Sequence, residues 1–291
     1  MNGILVIDKP KDYTSRDIVN IVGKKFNTKK VGHTGTLDPL ATGVLVICLG
    51  EALKLVEVIT SQTKEYVAKV VLGLETDTLD ITGKIIKDEP NLNISKPQIE
   101  LALHKLIGKI SQQVPAYSAV KVNGKKLYEY ARQNIEVELP TRTVEIYNLS
   151  LITEPQIVDN HIEFDIKCKV SKGTYIRSLI RDIGTLLNTT ATMKELRRTK
   201  QGDFNLDKAY TLTDLETDNY KLLSISEVIN FPKKKLSKDL LFKIQNGQVL
   251  PKFFEEDTCL LTDENEVPIA IYKTTEQNPN LVKPWKMFKS N

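Results

Sequence analysis

The spacing of apolar residues along the chain predicts short strands alternating with short helices. Apolar runs at residues 4–7 and 44–49 have the length of strands, and the second run is apolar at every position, which is typical of a buried strand. Between them, Ser15 can cap a helix. The apolar face of this predicted helix carries Ile18, Val19, Ile21, Val22 and Phe26.

The same reasoning predicts the elements of the remaining chain. Predicted helices cover residues 51–59, 96–107, 125–132 and 240–248, and predicted strands cover residues 64–73, 144–153 and 161–170. Residues 171–184 lead from a strand into a helix. Because the two types alternate irregularly and short turns join several strands, the predicted class is α+β, with a mixed, largely antiparallel sheet flanked by helices.

The pattern changes near residue 230. Residues 232–235 are predicted to be a linker, and short apolar stretches alternate with polar turns from about residue 249 to Lys289. We therefore expect two domains, at residues 1–230 and 231–291, of which the second is a small β structure.

Composition narrows the function. With 41% hydrophobic and 27% charged residues among 291, the chain has the profile of a soluble globular protein. No apolar run approaches the roughly 20 residues that span a bilayer, and no secretory signal is evident, so we expect no membrane partner and a cytoplasmic location. The three scattered cysteines and three histidines lack metal-ligand spacing, and no phosphate-binding glycine motif occurs, which predicts no metal and no cofactor.

The stretch with the strongest chemical signal surrounds Asp38. Gly32, Gly35 and Gly43 allow sharp turns and a close ligand approach around this carboxylate. Pro39 keeps Asp38 out of the helical region. Since a buried strand follows at once, the carboxylate is expected on a loop that the core holds still.

Residues 32–45, Gly-His-Thr-Gly-Thr-Leu-Asp-Pro-Leu-Ala-Thr-Gly-Val-Leu, resemble the signature of the TruB-type tRNA pseudouridine synthases. The resemblance continues in the Lys-x-Tyr strand at residues 64–66 and in the Thr-Asp-Thr loop at residues 76–78. It also includes Gly-Thr-Tyr-Ile-Arg at 173–177, Leu-Arg-Arg-Thr at 196–199, and a Pro-Pro-x-Tyr-Ser-Ala-type segment in which Val114 replaces the first proline. The match is strong over about residues 3–230 and looser in the tail, which is similar to the PUA-like barrel of the family.

This resemblance implies the pseudouridine synthase fold and a reaction without a cofactor, in which uridine 55 in the T arm of tRNA becomes pseudouridine. It implies that Asp38 is the catalytic nucleophile on a flipped-out uridine and that Arg177 pairs with it. The implied substrate contacts are His33, which supports the flipped nucleotide, Tyr66 and Tyr175 at the base, and Leu196 as an apolar wall. Taken singly, each of these side chains could instead be a structural core or surface residue.

Basic residues near these motifs suit phosphate contacts. The candidates are Lys24, Lys25, Lys29, Lys30, Arg197 and Arg198. For the four lysines an equally good interpretation is that cations are favoured at the C-terminal end of a helix. Asp77 and Asp80, in the threonine-rich loop, are expected to hold that loop by side-chain hydrogen bonds rather than to bind a metal.

Three other functions fit parts of the sequence. A glycoside hydrolase would need a second carboxylate at a fixed separation, and none stands out in a comparable motif. A non-catalytic RNA-binding or RNA-folding protein would not need Asp38, although a folding role can accompany catalysis. Guide-RNA-dependent relatives share the motifs but are expected to carry long basic extensions, so we expect action without a guide RNA, as a monomer.

Overall fold

The computed structural model describes residues 1–289 as two β-sheets, two small hairpins and a set of short helices. The strands are β1 Gly3–Lys9, β2 Val31–His33, β3 Thr42–Leu49, β4 Lys64–Leu72, β5 Leu74–Thr76, β6 Ile85–Asp88, β7 Gly108–Gln113, β8 Lys121–Val122, β9 Lys125–Lys126, β10 Thr141–Leu151, β11 Gln156–Val158, β12 His161–Val170, β13 Ala191–Gln201, β14 Phe204–Asn205, β15 Lys233–Lys235, β16 Leu250–Pro251, β17 Thr258–Thr262, β18 Pro268–Thr274 and β19 Leu281–Met287. The helices are α1 Ser15–Lys25, α2 Val56–Thr60, α3 Lys96–Lys105, α4 Leu127–Arg132, α5 Ile176–Leu186, α6 Leu212–Glu216, α7 Ile225–Val228 and α8 Lys238–Gln245, with 3₁₀ turns at Gly50–Leu55 and Leu206–Lys208.

The larger sheet has ten strands, in the order β1-β3-β13-β4-β12-β10-β7, with β2, β11 and β14 paired at its sides. Every pairing in it is antiparallel except a short parallel contact between β13 and β3. Helices α3 and α5 pack on this sheet through an extensive apolar core. The predicted α+β class and largely antiparallel sheet are confirmed.

Both faces of β3 are buried, which explains why its sequence is apolar at every position. Leu45, Ile47 and Leu49 point into the core beneath the helices. Val44 and Val46 point the other way, into a second core that contains Leu260, Ile271 and Phe288 from the C-terminal sheet. Successive strand residues alternate between faces, so a fully apolar strand results when both faces are covered.

The second sheet has five strands in the order β15-β17-β18-β19-β16. It is a curled half-barrel, which fits the predicted PUA-like architecture. The linker predicted at residues 232–235 is wrong, because Lys233–Lys235 forms β15 and pairs in parallel with Leu260, Leu261 and Thr262 of β17. The lysine run misled the prediction, since an edge strand with one free side tolerates three consecutive charges.

The first helix is capped one residue earlier than predicted. Thr14 is the N-cap of α1, and its side chain and that of Asp17 bond reciprocally to each other's backbone N–H. Ser15 instead lies inside the helix and is buried. Its hydroxyl is used on the Asp38 loop, as described below.

The remaining predicted elements are largely present with shifted ends. The helix predicted at residues 51–59 is divided into the 3₁₀ turn Gly50–Leu55 and α2, and the one predicted at 125–132 begins with the short strand β9. Gly108, which follows the helix predicted at residues 96–107, opens β7 with a φ of 108°. In residues 1–289 no helix is both long and apolar enough to cross a bilayer.

Candidate active site

The loop that carries Asp38 is fixed by hydrogen bonds from two sides. The Ser15 hydroxyl donates to Leu37 O at 3.1 Å and accepts from Leu37 N at 2.8 Å. On the other side, the backbone N–H of Asp12 donates to Pro39 O at 2.8 Å, and the buried Lys9 ammonium donates to the same carbonyl at 3.3 Å. The residues flanking Asp38 are therefore held on both sides, while its carboxylate remains partly exposed.

Gly43 explains how this loop enters the sheet. Its φ is +102°, and a Cβ there would lie 2.2 Å from the carbonyl oxygen of Arg198 on β13. Both the left-handed conformation and the close backbone contact exclude any side chain. The glycine therefore lets the Asp38 loop pass directly beside β13, which supplies part of the site wall.

Arg177, in the first turn of α5, reaches the Asp38 carboxylate. The distance from Arg177 Nη2 to Asp38 Oδ2 is 3.1 Å, and only 5% of the arginine is exposed. The same guanidinium donates to Thr78 O at 2.9 Å and to Tyr117 O at 3.0 Å. These carbonyls orient the guanidinium, so the ion pair has a defined geometry.

A second carboxylate, that of Asp80, lies 3.7 Å from Arg177 Nη1. It is buried, and its Oδ1 accepts hydrogen bonds from the Thr78 hydroxyl at 3.0 Å and the Thr82 backbone N–H at 3.1 Å. Asp77 accepts from the backbone N–H of Lys84 at 2.8 Å. The prediction that these aspartates hold the loop by side-chain hydrogen bonds is confirmed.

A cavity of about 410 Å³ opens beside the ion pair. Six of the predicted site residues line it together: Asp38, Tyr66, Tyr175, Arg177, Leu196 and Arg198. They come from a loop, two strands and the start of a helix, and more than a hundred positions of sequence separate Asp38 from Arg177. The volume of this cavity lies within the roughly 300–1,000 Å³ typical of small-molecule pockets, so the cavity has room for a nucleobase.

Tyr66 and Leu196 form the floor from adjacent strands. On β4 and β13, Tyr66 is opposite Arg198 and Leu196 is opposite Ala68. Tyr66 is 7% exposed, and burial raises the pKa of its hydroxyl against the opposing effect of the Arg198 guanidinium. The phenol therefore stays neutral at physiological pH and presents an aromatic surface.

Tyr175 is positioned by a side chain that the sequence reasoning missed. The buried amide of Gln112 accepts from Tyr175 N at 2.8 Å and donates to Tyr175 O at 3.1 Å. The guanidinium carbon of Arg142 lies 5.6 Å from the centre of the Tyr175 ring, within range of a cation–π contact. Gln112 lies next to the segment in which Val114 replaces a proline of the family motif, so the sequence could have indicated a role for Gln112 near the site. No motif lies near Arg142, and its role could not have been predicted.

Lys64 is a second missed residue of the cavity wall. It is 7% exposed, and its ammonium donates to Thr60 O at 2.6 Å and Gln62 O at 2.8 Å. Burial, with smaller effects of Arg198 and Lys172, lowers its pKa to about 8. This position could have been predicted from the sequence, because residues 64 and 66 of a strand face the same side and Tyr66 was already a predicted site residue.

His33 lies outside the walls of this cavity, on β2. Its Nδ1 accepts a hydrogen bond from Gly35 N at 3.3 Å, which helps to shape the turn before Asp38. Burial, with the charges of Arg198 and Arg16, lowers the pKa of the imidazole. It is therefore neutral at pH 7, the state in which Nδ1 can accept.

The predicted phosphate contacts occupy different environments. Lys24 and Lys29 line an open polar groove along α1, and Lys30 is exposed beside it. Lys25 pairs with Asp218 at 2.7 Å, and Arg197 with Asp8 at 2.7 Å.

The surface contact expected for Arg198 is wrong. This side chain is 1% exposed, and it donates to Val44 O at 2.6 Å and to Gly35 O at 3.0 Å. Its guanidinium therefore supports the wall between the Asp38 loop and β3 and is not available to a phosphate on the surface.

Comparison with known proteins identifies this arrangement. Residues 23–176 match the model of the TruB family pseudouridylate synthase N-terminal domain, and residues 177–227 match the tRNA pseudouridylate synthase B C-terminal domain. The chain belongs to the TruB family. The resemblance inferred from the Asp38 motif is thus confirmed.

TruB-family relatives match along the entire chain. The tRNA pseudouridine synthase B of Geobacillus thermodenitrificans (strain NG80-2) is 43% identical, covering 99% of this chain and 100% of the relative. That of Bacillus subtilis (strain 168) is 42% identical, over 99% of this chain and 98% of the relative.

Solved structures show the same fold. A chain of an H/ACA ribonucleoprotein bound to a substrate RNA containing 2′-deoxyuridine superposes with a TM-score of 0.70 at 23% identity, over 99% of this chain and 85% of that one. A chain of the archaeal box H/ACA Nop10-Cbf5 complex gives a TM-score of 0.70 at 23% identity, over 99% of this chain and 86% of that one.

Proposed function

We propose that the chain isomerises uridine 55 in the T arm of tRNA to pseudouridine, with Asp38 as the nucleophile on a flipped-out uridine. The observation that carries this proposal is the contact between Asp38 and Arg177 at the mouth of a cavity sized for a base. Membership of the TruB family and full-length similarity to bacterial tRNA pseudouridine synthase B proteins support it.

The proposed reaction needs no added oxidant or energy source. A carboxylate oxygen of Asp38 bonds to ribose C1′ as the C1′–N1 bond breaks, and the electron pair leaves with the uracil. The uracil then turns, and its C5 bonds to C1′ and releases the carboxylate. The proton on C5 is lost and N1 gains one, so atoms and charge balance.

The environment of Asp38 suits this role. The Arg177 guanidinium lies 3.1 Å from the Asp38 carboxylate and orients it by a charge-assisted hydrogen bond. Backbone carbonyls hold Arg177 from behind, so it is ready before substrate arrives.

The walls of the cavity suit a detached base. Tyr66 and Tyr175 offer aromatic surfaces on which uracil can stack, at roughly 1–3 kcal/mol per base. Leu196 closes one side with an apolar surface and limits the access of water during the rotation. Extruding the uridine costs a few kcal/mol of lost stacking, which contacts of this kind offset.

Recognition of the tRNA is proposed to rest on phosphate contacts at Lys24, Lys29 and Lys30, where the groove along α1 is polar and basic. Lys25 and Arg197 join them if their ion pairs with Asp218 and Asp8 open. His33 is proposed to support the flipped nucleotide through the turn that it shapes.

We further propose that residues 1–230 form the catalytic domain and that residues 231–291 extend the grip on RNA. We also propose that the chain acts as a cytoplasmic monomer without a guide RNA, and its 43% identity over the full length of a bacterial tRNA pseudouridine synthase B supports action without a guide.

The test uses unmodified tRNA labelled with tritium at uracil C5, because C5 must lose its hydrogen. We expect release of one tritium per tRNA from position 55, without added cofactor and with a chelator present. Asp38→Asn should abolish release while tRNA affinity stays within about threefold, since an uncharged amide cannot act as the nucleophile.

Asp12→Asn is the matched control. Asp12 is an exposed carboxylate of the neighbouring turn that does not line the cavity, and asparagine tolerates its positive φ of 69°. This control should release tritium at the wild-type rate. Turnover by Asp38→Asn would refute the nucleophile, and tRNA binding without release by the wild type would indicate a non-catalytic RNA-binding protein.

A further inference from the structure

A second cavity, of about 340 Å³, lies between α2 and the C-terminal sheet. Val56 and Val58 give it an apolar side, and the indole of Trp285 on β19 forms the opposite side. Lys172, which is exposed, stands at its rim. None of these four side chains lines the Asp38 cavity.

This second cavity adjoins the Asp38 cavity. Thr60 lines both, and Lys172 of the second cavity precedes Gly173 of the first in the loop before α5. Lys172 makes a small contribution to a lowered pKa on each side: burial is the main cause for Lys64, and hydrogen bonding to Lys286 is the main cause for Glu57. The two cavities are therefore neighbours, meeting at Thr60 and at the loop before α5.

The chemistry of the second cavity combines an aromatic ring with several cations. The Lys286 ammonium lies 5.4 Å, and that of Lys273 5.8 Å, from the centre of the Trp285 ring. Aromatic surfaces flanked by lysines are the usual combination in proteins that bind single-stranded nucleic acid, where bases stack and cations follow the backbone. A simple apolar ligand would gain nothing from these three lysines.

We propose that this second cavity binds a nucleotide next to the target uridine, with its base stacked on Trp285 and its phosphate on Lys172. The inference rests on the proposed function, because the same RNA must enter the Asp38 cavity. A base on the indole would displace the Lys273 ammonium from the ring toward the backbone phosphate, while Lys286 remains paired with the Glu57 carboxylate at 2.7 Å.

Trp285 is the only tryptophan in the chain, so its fluorescence reports directly on this cavity. The experiment titrates the Asp38→Asn protein, which cannot turn over, with an unmodified tRNA transcript. We expect saturable quenching of the tryptophan emission and protection of the indole from acrylamide. Neither effect should occur with a double-stranded RNA of equal length that offers no extruded base.

Substitutions then separate stacking from packing. Trp285→Phe keeps an aromatic ring and should bind tRNA nearly as the wild type does, whereas Trp285→Leu keeps apolar bulk without the ring and should raise the tRNA Kd about tenfold. Because this contact forms before and during the reaction alike, KM should rise with kcat unchanged. Thermal unfolding of each variant checks that it remains folded.

Lys172→Ala tests the phosphate contact. The slope of log Kd against log salt should fall by about one unit, as expected for the loss of one neutralised phosphate. Lys208→Ala is the matched control, since Lys208 is exposed and lines neither cavity, and its slope should match the wild type.

The proposal is overturned if tRNA leaves the fluorescence unchanged and Trp285→Leu binds as tightly as the wild type while tritium release is normal. That result would leave the proposed function intact. A concentration-dependent dimer that Trp285→Leu disrupts would also overturn it and make a second copy of the chain the occupant. If the wild type releases no tritium although tRNA still quenches the Trp285 fluorescence, that result would count against the catalytic proposal alone.

Discussion

Arg177 connects four oxygen atoms that come from distant parts of the chain. Its guanidinium meets one carboxylate oxygen each of Asp38 and Asp80 and the backbone carbonyls of Thr78 and Tyr117. A planar fork of five N–H donors can make such contacts at once, whereas an ammonium group is a single point charge. The orientation of Asp38 therefore depends on the shape of the arginine as well as on its charge.

Arg177→Lys should accordingly keep the charge and lose the geometry. We expect kcat for tritium release to fall about 10²-fold, comparable to the loss of one preorganised donor at a reaction centre, with little change in tRNA Kd. Single-turnover kinetics and a binding titration measure the two quantities separately.

The control for this substitution is Arg181→Lys, one turn further along α5. Arg181 pairs with Asp182 at 2.7 Å and does not line the cavity. It should retain nearly wild-type kcat. Equal losses in the two variants would indicate a general disturbance of the helix and contradict the role assigned to Arg177.

At the scale of elements, β13 shows how one strand divides its residues between chemistry and support. Leu196 lines the cavity, and Arg198, two positions on, is buried on the same face and supports the Asp38 loop. Arg197, between them, points away and pairs with Asp8 at the surface. Strand alternation requires this arrangement, so Leu196 as a wall already implied that Arg198 points inward.

Arg198→Met should therefore destabilise the protein much more than Arg197→Met does. Loss of the buried guanidinium leaves the carbonyls of Val44 and Gly35 without their donors, at a cost of about 1–3 kcal/mol each. The Arg197 ion pair is partly exposed, and its loss should cost about 0–1 kcal/mol. Urea unfolding of both variants measures the difference, and equal midpoints would contradict the supporting role of Arg198.

At the scale of the whole molecule, the sequence predicted the elements around the site but not the way in which the two sheets join. The apolar run at residues 44–49 predicted a buried strand, and the contiguous motif around Asp38 predicted the site. What covers the second face of that strand was not readable, because the partners Leu260 and Ile271 lie more than two hundred positions away. The C-terminal region after residue 230 is also short, and apolar and polar residues alternate only weakly along its strands. The three lysines of β15 therefore resembled a linker.

The burial of individual lysines is a second feature that the sequence alone could not predict. A buried lysine such as Lys64 or Lys9 cannot be told from a surface lysine by residue type, and for Lys9 the carbonyl acceptors of Tyr13 and Pro39 come from separate segments. Only the folded chain brings those acceptors together. Burial then lowers the pKa of each ammonium to about 8, which composition alone cannot predict.

The core shared between the sheets predicts that the protein unfolds as one unit. Ile4 and Val6 of β1 pack in the same cluster as Ile271 and Phe288, so the C-terminal sheet cannot detach without exposing the apolar face of the ten-stranded sheet. In urea, the loss of Trp285 fluorescence, which reports on the C-terminal sheet, and the loss of tritium release should coincide.

Ile271→Ala should shift the midpoints of both transitions together, by about 2–5 kcal/mol of stability. Ile157→Ala, at a side chain that is 77% exposed, should shift neither by more than about 0.5 kcal/mol. Two separate transitions, with only the fluorescence midpoint moved by Ile271→Ala, would mean that the sheets fold independently despite their common core.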